Sequence, residues 1–141
     1  MALTKKFKLK KNLNSVTAEL ADLNVEMAEQ MILLASQTGD IEPLMSAASA
    51  LREAQEIYSV DNVPNKHALV QKALGDTLLT LGRANGDIDA LDASVQAYRS
   101  AITLASMLGD EEMRIDAKTN YAVARRLLEN HVGKLHLRGA A

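Results

Sequence analysis

Apolar residues recur at every third or fourth position along most of the chain, with polar residues filling the gaps. Val16, Leu20, Leu23, Met27, Met31 and Leu34 follow this spacing, the stripe of an amphipathic helix that turns its apolar side inward. Asn14 or Ser15 can cap the start of that helix, and Gly39 suits the position just past its end. Asp40 then caps a second helix, in which Pro43 is tolerated because it falls in the first turn. Leu44, Ala47, Leu51, Ala54 and Tyr58 form its stripe. The segment DNVPN stops it, since Pro64 disfavours helical geometry at Val63. Asn65 can cap a third helix carrying Leu74, Leu78 and Leu81, closed by GRANGD. A fourth runs from about Ile88 to Leu108, with Leu91, Val95, Tyr98, Ala101 and Leu104 inward. Gly109 ends it, and Asp110 opens a fifth with Ile115, Tyr121, Ala122 and Leu128 inward; Gly133 ends that one, and KLHLRGAA frays. The pattern predicts an all-α chain of five main antiparallel helices over residues 15–132, between an arm at 1–14 and a tail at 133–141.

The helices also repeat. GDIDALDASVQAYRSA at 86–101 echoes GDIEPLMSAASALREA at 39–54, with seven identities in sixteen positions at a displacement of 47 residues. The displacement persists outside that segment. Ala28, Gly75 and Ala122 lie one period apart, as do Met27, Leu74 and Tyr121, and Leu34, Leu81 and Leu128. A small residue at one fixed place in each odd helix lets a neighbouring helix approach closely. Such periodicity marks a repeated helical hairpin in which each unit buries its face against the next. The chain holds two and a half such hairpins, the last odd helix acting as a cap.

These residues resemble the tetratricopeptide repeat family, whose units carry a Leu-Gly-like pair in the first helix and an Ala–aromatic–Ala spacing in the second. Leu74-Gly75 matches the first element, with Met27-Ala28 and Tyr121-Ala122 as softened versions. Ser94, Tyr98 and Ala101 match the second, and Ala47, Leu51 and Ala54 follow it without the aromatic. The resemblance covers roughly residues 16–130 and implies a right-handed helical-hairpin repeat, in a long-unit form like those of bacteria. The family's usual unit is shorter, and its early Trp is missing here. HEAT-like repeats share the period but lack the Leu-Gly pair.

Composition agrees with a helical chain and narrows the chemistry. Of 141 residues 48% are apolar, yet there is no Trp, one Phe and three Tyr, so Leu, Ala, Met, Ile and Val must build the core. No window approaches the ~20 apolar residues that span a bilayer, and no apolar stretch follows the N-terminal lysines as in a secretory signal. The expected location is cytoplasmic. Cysteine is absent, which excludes disulfides and thiolate chemistry. His131 and His136 do not share a helical face, and His67 falls in a helix's first turn as a surface or packing residue. Asp87, Asp89 and Asp92 lack the spacing of a calcium loop and read as helix-capping acids. No phosphate loop, nucleophile elbow or paired-acid motif occurs, so neither an enzyme nor a cofactor is expected.

Charge is segregated. Residues 1–11 carry Lys5, Lys6, Lys8, Lys10 and Lys11 and no acid, residues 12–124 carry seventeen acids against seven bases, and residues 125–141 are again basic. A basic arm on an acidic body is the pattern of an interaction tail.

The resemblance also implies a concave groove lined by the odd helices. Carried over one period at a time, its positions are Asp22, Val25, Glu29, Ile32 and Leu33, then Leu69, Lys72, Asp76, Leu79 and Thr80, then Asp116, Thr119, Val123, Arg126 and Leu127. The family's clamp for a C-terminal carboxylate uses Lys and Asn at such positions. Here Glu29 and Asp76 stand in place of the Asn. An apolar groove with carboxylates suits a basic amphipathic segment of a protein partner, the work of an adaptor, scaffold or small chaperone. Two alternatives stay open. The groove or the arm, with Phe7 and Leu9 between lysines, is an interface of a self-assembling oligomer. Or the arm tethers the chain to anionic lipid or nucleic acid, which the acidic body opposes.

Overall fold

The computed structural model describes the backbone of residues 2–60 and 63–139 and the side chains of residues 15–59 and 63–133. Five helices follow one another: α1 (Ala2–Thr38), α2 (Glu42–Val60), α3 (Pro64–Asn85), α4 (Ile88–Leu108) and α5 (Glu111–Gly139). The fold class is all-α, with no strand among the described residues. Each helix packs on the next in chain order, and α3 also meets α5. Connections of two or three residues between α1 and α2, α3 and α4, and α4 and α5 leave antiparallel packing as the geometry open to those pairs.

Local chemistry sets most of the ends. Gly39, Gly86 and Gly109 adopt φ of 74°, 63° and 71°, the left-handed turn that lets the chain leave a helix. Asp87 accepts a hydrogen bond from the Ala90 amide, and Asp110 one from the Met113 amide, so each satisfies an orphan donor at a helix start. Asp40 does the same for Glu42. At α3 the expected cap by Asn65 does not form: Pro64 occupies the first turn, Val63 precedes it, and no side chain caps the end. A proline there has no N–H to satisfy.

Two helices extend past their expected limits. α1 begins at Ala2, so Asn14 and Ser15 lie within the helix and not at its start. α5 passes through Gly133 to Gly139. Gly133 is one period beyond Gly86 yet lacks its positive φ, because the chain makes no turn there toward a further helix. Neither the arm boundary at 14 nor the tail boundary at 133 coincides with a break. The side chains of the arm residues Lys5, Lys6, Phe7, Lys8, Lys10 and Lys11 lie outside the described residues.

The core repeats with the 47-residue period. On α2 and α4, Leu44 and Leu91, Ala47 and Ser94, Leu51 and Tyr98, and Ala54 and Ala101 are buried pairwise. They meet small residues on the odd helices. Ala21 and Ala68, Ala28 and Gly75, and Ala35 and Gly82 are buried in the same register. A Cβ on Gly75 would sit 2.7 Å from the Tyr98 ring, and one on Gly82 would sit 2.6 Å from Leu91. Fully burying a side chain such as Leu51 or Leu91 contributes about 2 kcal/mol, available only because the facing helix is stripped to alanine or glycine.

Of the inward stripe expected on α1, Met31 packs on the core and the rest does not. Val16, Leu20, Leu23, Met27 and Leu34 are 45–61% exposed, and the buried face is Ala21, Ala28 and Ala35, with Val25 and Ile32 packed beside them. Hydrophobicity alone points the largest apolar residues inward, whereas the bulky stripe of α2 demands small partners. α5 differs for a related reason. Ile115 and Ala122 are exposed and Ala117 and Ala124 are buried, since the face bearing Ile115 and Ala122 is the one a following even helix would cover.

Candidate functional site: the clefts between α1, α3 and α5

Two carboxylates tie the helices that form the clefts. Asp22 on α1 accepts hydrogen bonds from the Tyr58 hydroxyl of α2 and, at 2.9 Å, from Lys66 Nζ at the start of α3. Lys66 also lies over the Tyr58 ring, 5.7 Å from its centroid. The Tyr58 bond, then Lys66, hold the Asp22 carboxyl below the usual carboxylate value. Asp76 on α3 accepts from the Tyr98 hydroxyl of α4, from Lys72 Nζ at 3.1 Å and from Asn120 Nδ2 of α5 at 3.1 Å. Burial, then the facing carboxylate, pushes the phenols of Tyr58 and Tyr98 far up. A buried tyrosine needs a partner for its hydroxyl, and each finds it on an odd helix. Asp22 and Asp76 are not one period apart, so the two ties are independent solutions to that need.

Between α1 and α3 lie two adjoining clefts. One, about 310 Å³ in volume, is lined by Asp22, Val25, Glu26, Glu29, Tyr58, Lys66, Leu69 and Val70. The second continues past Val25, Glu29 and Leu69 to Ile32, Lys72 and Asp76. A third, between α3 and α5, is lined by Leu69, Lys72, Asp110, Glu112, Met113 and Asp116. Leu69 is common to all three and is 57% exposed.

The positions named from the sequence divide into three groups. Asp22, Val25, Glu29, Ile32, Leu69, Lys72, Asp76 and Asp116 line these clefts. Leu79 is instead buried in the second hydrophobic cluster, with Val123 and Leu127 packed against it. Leu33, Thr80, Thr119 and Arg126 are exposed but line none of these three clefts. The hydroxyls of Thr80 and Thr119 donate to the carbonyls of Asp76 and Ile115 one turn back. Asp76, expected to select a positive partner, is already engaged by Lys72, Tyr98 and Asn120. Glu26, Glu29, Glu112 and Asp116 form no salt bridge with another described residue.

Glu26, Lys66, Glu112 and Met113 were not foreseen as lining residues. Glu26 follows Val25 on the same helix and could have been found from its spacing. Lys66 and Met113 lie at helix starts, where loop geometry decides which way the chain approaches.

No cluster of three His, Cys, Asp or Glu side chains suited to a metal forms among the described residues, and no helix searched there is long and apolar enough to cross a membrane. His67 is half-buried, its Nε2 3.1 Å from Gln71 Nε2, and burial lowers its pKa. Asp87 serves the start of α4. No known protein family, curated protein or solved structure matches this chain.

Proposed function

We propose that the chain is a right-handed, tetratricopeptide-like helical-hairpin repeat that binds a basic amphipathic segment of a protein partner in the cleft between α1 and α3. It works without catalysis, as an adaptor, scaffold or small chaperone in the cytoplasm. The period shared by Ala28 with Gly75 and by Leu51 with Tyr98 supports the repeat. One observation carries the binding mode: Val25, Ile32 and Leu69 offer apolar surface beside Glu26 and Glu29, which have no described cationic partner. An apolar floor supplies affinity by burial, and unpaired carboxylates at its rim select the sign of the partner's charge. Asp22 and Asp76 serve as struts that fix the spacing of α1, α3 and α5.

The test uses two labelled amphipathic peptides, one of leucine and lysine and one of leucine and glutamate, read by fluorescence anisotropy. The lysine peptide should bind at least about tenfold more tightly, and Glu26→Lys/Glu29→Lys should remove that preference. Leu69→Ser should weaken binding without loss of helicity. Equal binding of both peptides, or an affinity unchanged in the Glu26→Lys/Glu29→Lys variant, would sink this reading.

A further inference from the structure

The large apolar residues of α1 that the fold leaves uncovered have a register of their own. Val16, Leu20, Leu23, Met27 and Leu34 are 45–61% exposed along one line of the helix. Their spacing alternates between four and three, interrupted once at Gln30, and the sequence continues it backward to Leu13 and Leu9. That is an a/d heptad seam sustained from Leu9 to Leu34, the pattern that pairs one helix with another. It differs from the 3.6-residue face that α1 turns to α2.

The same positions one period later show what such a face is for. Val70, Leu74 and Leu81 on α3 stand 47 residues beyond Leu23, Met27 and Leu34, and all three are buried. In α5 the corresponding Ala117 is buried and Tyr121 and Leu128 are half-buried. An even helix precedes α3 and α5 and packs on each. On α1 alone is this face bare among the described residues. α1 is also 37 residues long against 19 for α2, so α2 can run beside only about half of it.

We propose that a second copy of this chain covers the N-terminal half of this face, α1 pairing antiparallel with α1 of its partner through the Leu9–Leu23 part of the seam. Charge decides both occupant and direction. Lys5, Lys6, Lys8, Lys10 and Lys11 lie at one end of α1, and Glu19 and Glu26 flank the seam further along it. A parallel in-register pair would set the two basic ends of the helices side by side. An antiparallel pair sets each basic end beside the acidic stretch of the other copy, with the two-fold axis near Val16. The helix is thus complementary to itself reversed. At about 100° per residue Val25 and Glu29 lie on the opposite side of α1, so dimer formation leaves that side of the proposed cleft open, and Glu26 alone is shared between the two surfaces.

The mass of the full chain by light scattering should be twice 15.3 kDa and fall toward one copy on dilution. Leu20→Glu/Leu23→Glu should raise the dimer dissociation constant by more than about 100-fold with helicity unchanged, because two half-exposed leucines leave the seam. Should that variant unfold, Val16→Gln/Leu20→Gln gives a milder polar seam with the same expected monomer. Direction is read from single cysteines in a chain that has none. Val16→Cys should cross-link two copies and Leu34→Cys should not, since antiparallel pairing separates the two Leu34 positions far beyond disulfide reach. A full chain monomeric at every concentration would assign the stripe to a different occupant and overturn the proposal. So would a dimer indifferent to these seam substitutions. Cross-linking through Leu34→Cys would overturn the antiparallel arrangement.

Discussion

Gly75 and Tyr98 show how one pair of residues fixes the distance between two helices. The ring lies where a Gly75 side chain would begin, 2.7 Å from its ideal Cβ, and the hydroxyl is anchored on Asp76. One period earlier the pair is Ala28 and Leu51, both buried. Alanine for glycine within a helix gains up to about 1 kcal/mol of propensity, but overpacking a core costs about 1–3 kcal/mol. Because the anchored ring cannot swing aside, the second effect wins. Gly75→Ala should lower stability by about 1–2 kcal/mol in urea unfolding. Combined with Tyr98→Leu, it should cost less than the sum of the two single changes, since the double variant recreates the Ala28–Leu51 pair. Additive costs would show that the contact does not set the spacing.

The three tyrosines differ in their protons for reasons visible at the same scale. Tyr58 and Tyr98 donate to carboxylates and their pKa values are raised by burial and then by those partners. Tyr121 sits beside Arg99 and Arg125, and the Arg99 hydrogen bond lowers it. A raised phenol stabilises the fold fully below its unfolded value near 10, and that contribution is lost as pH rises past it. Phenolate absorbance should therefore show one tyrosine ionising below pH 10 and two ionising only with alkaline unfolding. Tyr121→Phe should remove the early step. Two early steps would contradict the Tyr58 and Tyr98 ties.

At the scale of the element, two glycines one period apart behave oppositely. Gly86 takes φ of 63° to end α3, whereas Gly133 carries no positive φ and a Cβ there would meet nothing within 4 Å. Alanine at Gly86 forces a Cβ into the left-handed region, at about 1–2 kcal/mol. Alanine at Gly133 raises helix propensity and should stabilise by about 0.5–1 kcal/mol. Thermal unfolding of the two variants should move in opposite directions, and a Gly133→Ala variant that melts earlier would argue against the extended α5. From the sequence alone the two glycines read alike, each closing a unit. What separates them is the backbone each adopts: Gly86 turns the chain toward α4, whereas α5 continues through Gly133.

For the molecule as a whole, α1 presents two surfaces that ask for different occupants. The cleft side carries Val25 and Ile32 with unpaired glutamates nearby, and the outer side carries a bare seam. The α5 end is more polar where the next unit would pack: beside Ile115 and Ala122, the positions one period beyond Gln71, Leu78 and Gly82 are Lys118, Arg125 and Glu129, all exposed. Polar residues there suit a terminal cap. The seam at the other end leaves α1 without one, and the proposed second copy would close it.

Helix number, the bounds of α4 and the stripes of α2 and α3 were legible from the residues themselves. Capping, left-handed glycines and a 3.6-residue apolar period act over one or two turns, within reach of a linear reading. Leu44, Leu51, Leu74 and Leu81 are inward on any packing of these helices because each has apolar neighbours on both flanking turns. The inner face of α1 was not legible. Two faces of that helix carry apolar residues, one large and one small, and only the arrival of α2 with its bulky stripe selects the alanines. The same holds for Asp76, which reads as a free acid until Tyr98 and Asn120 reach it from two other helices. Sequence alone determined that five helices form and where the turns between them fall. Tertiary structure decided which side of each coil is inside, because that depends on the volume and hydrogen-bonding needs of a neighbour distant in the chain.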